Sequence, residues 1–295
     1  MENPTIDFRR ERDFGEVFGA TFDFIRQEYK RIGTVFLYYV LPFLVIAALL
    51  MILAQYNYKD IFSGISGSNE AVFSLIGGMI FYWVLLMASL LLAHTMIISA
   101  TYSYVSLYVK KGRDGFTVSD VWNEMKRFIL PVLGTNIVVG LLVAVGTIAC
   151  LIPGIYLGIS LSIILIALIY EDKGFSKAFS RSFELTKQNW WMTLLIIIIA
   201  YLLTYILSIV IQIPAMLIGI GSFWTTIQEM ISNPGNAVDP SGFFNTTYIV
   251  VTSISSVITY ILYVIPNLIL AFWYFSLVET KEKPSLMEKI EKIGE

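Results

Sequence analysis

A single cysteine, a single histidine and a charged fraction of only 14% over 295 residues mark what this chain cannot do. With Cys150 alone, no intramolecular disulfide and no CxxC metal or redox pair can form. His94 alone cannot supply a zinc site of ordinary composition. No GxSxG turn and no second histidine are present to activate a serine. There is no GxxxxGK[ST] phosphate loop, and no paired carboxylates lie inside an apolar run for acid–base work. No cofactor and no catalytic or metal-binding residue is expected. The net charge of −2 gives no reason to expect a nucleic-acid partner. An early uncharged apolar run is also missing. Six basic and seven acidic side chains fall within residues 1–31, so no cleavable signal peptide is expected and the first apolar run reads as an anchor.

What the chain does have is apolar length. It is 57% hydrophobic with a mean hydropathy of +0.73, whereas soluble domains carry roughly a quarter charged residues. A bilayer core of about 30 Å needs roughly 20 apolar residues per helix. Six runs meet that: 32–54, 80–104, 128–150, 154–170, 191–213 and 249–277. Nineteen of the twenty lysines and arginines lie between these runs on one side, and only Lys59 lies on the other. Basic residues are retained in the cytoplasm, so both termini are expected there.

The second run needs care, because residues 71–108 contain no Asp, Glu, Lys or Arg, and His94 is their one imidazole. As one helix they would extend about 57 Å, nearly twice the hydrocarbon thickness. Aromatic belts mark the two interfaces. Phe81, Tyr82 and Trp83 would then sit at one boundary, and Tyr102, Tyr104 and Tyr108 at the other. On that reading residues 71–79, with Gly77 and Gly78, form a separate outer interfacial or re-entrant piece; the alternative is one long tilted helix.

Two segments repeat at an offset of 161. Phe14, Phe18 and Phe22 coincide with Phe175, Phe179 and Phe183, and Thr21 with Ser182, Asp23 with Glu184, Arg26 with Lys187, Gln27 with Gln188. Such a run indicates an internal duplication. Apolar residues at 14, 17, 18, 22, 25 and 29, and at 175, 178, 179, 183 and 190, give each segment one apolar face opposite a charged one. A helix of this kind lies in the headgroup plane with its phenylalanines as anchors. A weaker counterpart spans 118–128 and leads into Pro131, as the first leads into Pro42. The expected fold is all-α: a polytopic membrane helix bundle of six transmembrane helices in three parallel repeats, each an interfacial helix plus a hairpin. The units run over about 13–108, 116–170 and 175–279. Residues 1–279 make one integral membrane domain, and 280–295 a cytoplasmic tail. There Ser285 and Glu288 frame a capping box, with Leu286, Ile290 and Ile293 on one stripe.

Polar residues inside the runs are the remaining candidates, since they are costly in a membrane. Counting from the helix ends at 1.5 Å per residue, His94, Asn136, Ser162, Tyr201 and Asn267 fall about 12–16 Å deep. Pro266, beside Asn267, should loosen its helix. They form either a polar site or relay, or interhelical hydrogen bonds that hold the bundle.

The stretch from Ile152 to Trp191 carries a resemblance. Ile152, Pro153, Gly154, Ile155, Tyr156 and Leu157 open a crossing that ends at Tyr170 and Glu171. Gly174, Phe175, Ala178, Phe179, Ser180, Arg181, Ser182, Leu185, Thr186, Lys187, Trp190 and Trp191 follow. This pattern resembles the membrane domain of bacterial glycerophosphodiester phosphodiesterases and related stand-alone six-helix bacterial membrane proteins of unknown function. The resemblance implies a bacterial inner membrane protein. In the fused enzymes the hydrolase is a separate soluble barrel, which this chain lacks.

The expected function is therefore that of a non-catalytic membrane module organising a lipid surface or a partner. Its partners would be membrane lipids or another membrane protein. The rival is a small-solute transporter working through the polar layer in the cytoplasmic half of the bundle.

Overall fold

The computed structural model of the chain describes residues 6–64, 69–232 and 245–283. Its helices are α1 (Phe14–Val35), α2 (Leu41–Gly64), α3 (Asn69–Lys111), α4 (Val118–Ala149), α5 (Leu151–Ser160), α6 (Ile164–Tyr170), α7 (Phe175–Thr186), α8 (Trp190–Ser232), α9 (Thr246–Ile261) and α10 (Val264–Glu282). A π-helical turn, Phe36–Val40, joins α1 to α2, and a 3-10 turn, Lys187–Asn189, joins α7 to α8. No strand occurs among the described residues. The architecture is an all-α polytopic helical bundle with six stretches long and apolar enough to cross a membrane: Phe14–Tyr56, Ile76–Lys111, Val118–Ala149, Leu151–Tyr170, Phe175–Glu229 and Thr246–Glu282.

Prolines explain two of the irregularities. Pro42 cannot donate to the carbonyl of Tyr38, and the wider π turn falls where that bond is missing. Pro266 cannot donate to Leu262, and the sixth crossing breaks at Leu262 and Tyr263, as expected from the sequence. The fourth crossing breaks at residues 161–163 without a proline. Its freed Ser160 carbonyl accepts from the Ser182 hydroxyl at 2.6 Å. A helix can be interrupted at membrane depth only where protein groups satisfy the backbone in this way.

One expectation changes. Residues 71–79 are not a separate piece: the backbone is helical without interruption from Asn69 to Lys111. Gly77 and Gly78 do not break it, because uncharged apolar sequence continues on both sides. Each surface helix leads directly into the crossing that follows it. α1 passes through the π turn into α2, α4 runs straight through Pro131, and α7 passes through one 3-10 turn into α8. The amphipathic tail helix lies outside the described residues.

The helices gather into two compact units. The first contains residues 1–40, 95–204 and 263–295; the second contains 41–94 and 205–262. In the first, every residue of α3 from Thr95 to Tyr108 and of α10 from Ile265 to Leu277 is buried. These are its central helices. Around them lies the α4–α5 hairpin, closed by glycines: a Cβ on Gly154 would come within 2.1 Å of the Thr147 hydroxyl and 2.7 Å of its backbone. In the second unit α2 packs along α9, with Gln55 donating to Ser253 at 3.4 Å and Tyr56 to Thr246 at 3.2 Å. Tyr248 covers Gly219, where a Cβ would lie 3.0 Å from the ring.

Candidate functional site

Helices α1 and α7 each divide into three sectors at about 100° per residue. On α1 the buried sector is Val17, Thr21, Phe24 and Glu28. Beside it lie Phe14, Phe18, Phe22 and Tyr29, with Phe22 45% and Tyr29 58% exposed. Glu16, Asp23 and Lys30 take the rest of the circumference, all exposed. α7 repeats the pattern at the same offset of 161. Ala178, Ser182 and Leu185 are buried; Phe175, Phe179 and Phe183 face outward; Lys177 and Glu184 are exposed. The apolar face expected from the sequence is thus split. Val17 and Ala178, grouped there with the phenylalanines, turn inward.

The outward rings contact one another in tilted pairs. Phe14 and Phe18 lie 4.9 Å apart, Phe175 and Phe179 5.8 Å, Phe179 and Phe183 5.0 Å. From Phe183 the series continues to Tyr156 at 6.3 Å, Trp190 at 5.9 Å and Trp191 at 4.8 Å.

The inward sector of α1 is held by an aromatic cluster. Phe24 meets Phe8 at 5.0 Å, Tyr108 at 5.0 Å and Phe272 at 5.9 Å, and Phe8 stacks on Phe272 at 4.0 Å. Arg12 closes this cluster. Its backbone N–H donates to Ser276 Oγ at 2.9 Å, Ser276 donates back to its carbonyl at 3.0 Å, and its guanidinium lies 5.1 Å over Phe272. Burial lowers the Arg12 pKa, and the Asp7 charge opposes that shift.

Two ionic clusters anchor the surface helices. Glu28, 1% exposed, accepts from the Tyr104 hydroxyl at 2.6 Å. Arg113 Nε lies 2.7 Å from its other oxygen, close in distance but off the N–H axis, so that oxygen has an ionic contact without an aligned hydrogen bond. At α7, Glu171 meets Arg181 at 2.7 Å, Lys173 at 2.8 Å and Tyr274 at 2.7 Å; Arg181 also pairs with Glu282. Burial pushes the Glu171 carboxyl up. Hydrogen bonds from Lys173, Tyr274 and Arg181 outweigh that and leave it below the usual carboxylate range. Asp172 pairs with Arg127 at 2.9 Å.

Asn136, Ser162, Tyr201 and Asn267 do not share one hydrogen-bonded cluster. Asn267 Oδ1 accepts from the Tyr102 hydroxyl at 3.4 Å, and its Nδ2 is buried without a partner. Asn136 Nδ2 is likewise buried and unpaired. Ser162 donates to the Ile159 carbonyl of its own turn at 2.8 Å. Ser162 and Tyr201 do come together, as two walls of a groove of about 350 Å³ between α4, α5, α8 and α10. His94, half-buried, belongs to the second unit, whereas the other four belong to the first.

No known protein family, curated protein or solved structure matches this chain. Its reading rests on its own geometry. Sequence reasoning missed Phe8, Arg12 and Glu28. Only Glu28 leaves a local trace, since it continues the stripe of Val17, Thr21 and Phe24 at helical spacing. Phe8 and Arg12 sit in a charged lead-in, and the Phe272 and Ser276 that hold them lie 264 residues away.

Proposed function

We propose that this chain is a non-catalytic membrane module whose helices α1 and α7 lie in one headgroup layer and organise lipid there. One observation carries this reading: at the offset of 161, inward and outward sectors coincide, so packing leaves both phenylalanine arcs partly exposed, Phe22 at 45% and Phe175 at 37%. An apolar arc flanked by a charged one is the pattern of an interfacial helix. The distribution of basic residues supports a cytoplasmic location for both helices and both termini. Basic side chains there would attract anionic lipid by about 1 kcal/mol each near the surface. The three units are parallel repeats, and a partner protein docked on the same arcs is the narrower form of the proposal. The resemblance of Ile152 to Trp191 to the membrane domain of bacterial glycerophosphodiester phosphodiesterases supports a bacterial inner membrane, with no hydrolase activity carried over.

The buried, unpaired amides of Asn136 and Asn267 favour a second reading, a small-solute transporter. Substrate-dependent flux in proteoliposomes, abolished by Asn267→Leu, would support it.

Cys150 is the only cysteine, so Cys150→Ser gives a clean background. Nitroxides at Phe22→Cys and Phe183→Cys in the full chain should be relaxed more by oxygen than by a water-soluble nickel chelate. The same thiols should react with an impermeant maleimide only from the cytoplasmic side. Greater relaxation by nickel would remove the interfacial reading, and labelling from outside would reverse the orientation.

A further inference from the structure

The groove between α4, α5, α8 and α10 is a site of its own, and we propose that it holds one acyl chain of a membrane lipid. It lies within the first unit and has a volume of about 350 Å³. α8 contributes Leu194, Ile197 and Tyr201, which at steps of three and four residues form one face of that helix. Gly158 opens the opposite wall. A Cβ there would touch only the Val143 methyls at 3.9 Å, so the missing side chain leaves space rather than allowing close approach.

The polarity of the groove selects the occupant. Thr147 donates to the Val143 carbonyl at 2.8 Å and Ser162 to the Ile159 carbonyl at 2.8 Å. Both hydroxyl protons are used within their own helices, and the surface presented is mostly hydrocarbon. A polar solute would find one phenol, Tyr201, and no charged group. Water would find too few partners. Every wall residue belongs to a stretch long and apolar enough to cross a membrane, so the medium at the groove mouth is acyl chain. A chain lying in the groove recovers dispersion contacts that an empty gap forfeits. The proposal needs only membrane insertion and does not rest on the interfacial reading of α1 and α7.

The full chain is reconstituted in vesicles of phosphatidylethanolamine and phosphatidylglycerol, doped with a phosphatidylcholine carrying a diazirine midway along one acyl chain. After irradiation, labelled residues are mapped by mass spectrometry. The reference is the outward face of α4, where Ile137 is 43%, Leu141 61% and Val145 64% exposed. Labelling at Ile155, Gly158, Leu194 and Ile197 should exceed that face by about fivefold, the ratio that roughly 1 kcal/mol of preference gives. Filling the groove by Gly158→Leu, or from the other wall by Ile197→Trp, should return it to the reference level. Equal labelling of the two surfaces in the unmodified chain would overturn the proposal. So would undiminished groove labelling in either variant that still runs as a single species on size exclusion.

Discussion

Two stretches of equal length in the first unit teach different lessons: Thr95–Tyr108 on α3 and Trp191–Thr204 on α8. Both are helical and apolar. Yet every residue of the first is buried, while in the second only Thr193, Ile196, Ala200 and Thr204 are. The difference lies in hydroxyls. The α3 stretch carries Thr95, Ser99, Thr101, Tyr102, Ser103, Tyr104, Ser106 and Tyr108; the α8 stretch carries Thr193, Tyr201 and Thr204. Both threonines of the Trp191–Thr204 stretch lie on its buried stripe, and Thr193 accepts from the Trp273 indole at 2.9 Å. In a membrane the surroundings are as apolar as the core, so hydrophobicity does not sort one face from another. Small size does, because small side chains let helices approach closely: Ser99, Ser103 and Ser106 are buried without a hydrogen-bond partner, so close approach rather than hydrogen bonding buries this face of α3.

The comparison breaks most severely at Glu28, the acid that anchors α1 to the central helix. Glu28→Ala leaves Arg113 and the Tyr104 hydroxyl without their carboxylate. Removing one partner of a buried ion pair costs about 3–5 kcal/mol, and because Arg113 is 30% exposed the loss should sit at the lower end of that range. The midpoint of denaturation in mild detergent should fall accordingly, and an unchanged midpoint would show that the pair contributes nothing. A paired test sharpens the contrast. Ser103→Leu, in the centre, should cost about 1–3 kcal/mol by overpacking, whereas Ile198→Leu, outward on α8 at 50% exposure, should stay within about 0.5 kcal/mol. Equal effects would mean that burial does not separate these helices.

The smallest effect concerns acid. Glu171 is held below its ordinary pKa, so its contribution to stability is complete above the unfolded carboxylate pKa and is lost as pH falls through the lower, folded value. The unmodified chain should therefore lose more thermal stability on acidification than Glu171→Gln does. Parallel pH curves for the two would remove Glu171 from the account. Since Lys173 is half-exposed, the effect should be modest, about 1 kcal/mol or less.

Much of this architecture is legible along the chain. Apolar runs of membrane length give six crossings, and Pro266 marks the break in the last of them. The offset of 161 locates two helices with phenylalanine arcs. Less legible was which apolar residue faces in, because Val17 and Phe18 differ little in hydropathy and differ only in what lies opposite. Across residues 71–79 the aromatic belt at Phe81, Tyr82 and Trp83 does not end the helix, which runs on through unbroken apolar sequence.

Amino-acid order alone thus settles helix, crossing number and the repeated arcs, because these depend on backbone hydrogen bonding and on neighbours within two turns. Folding in three dimensions decided the rest: that Phe8 lies on Phe272, that Glu28 finds Tyr104 and Arg113, and that Gly158 opens a groove rather than closing a contact. Each of these joins residues from separate helices. Their energy comes from contact across space, to which local periodicity is blind.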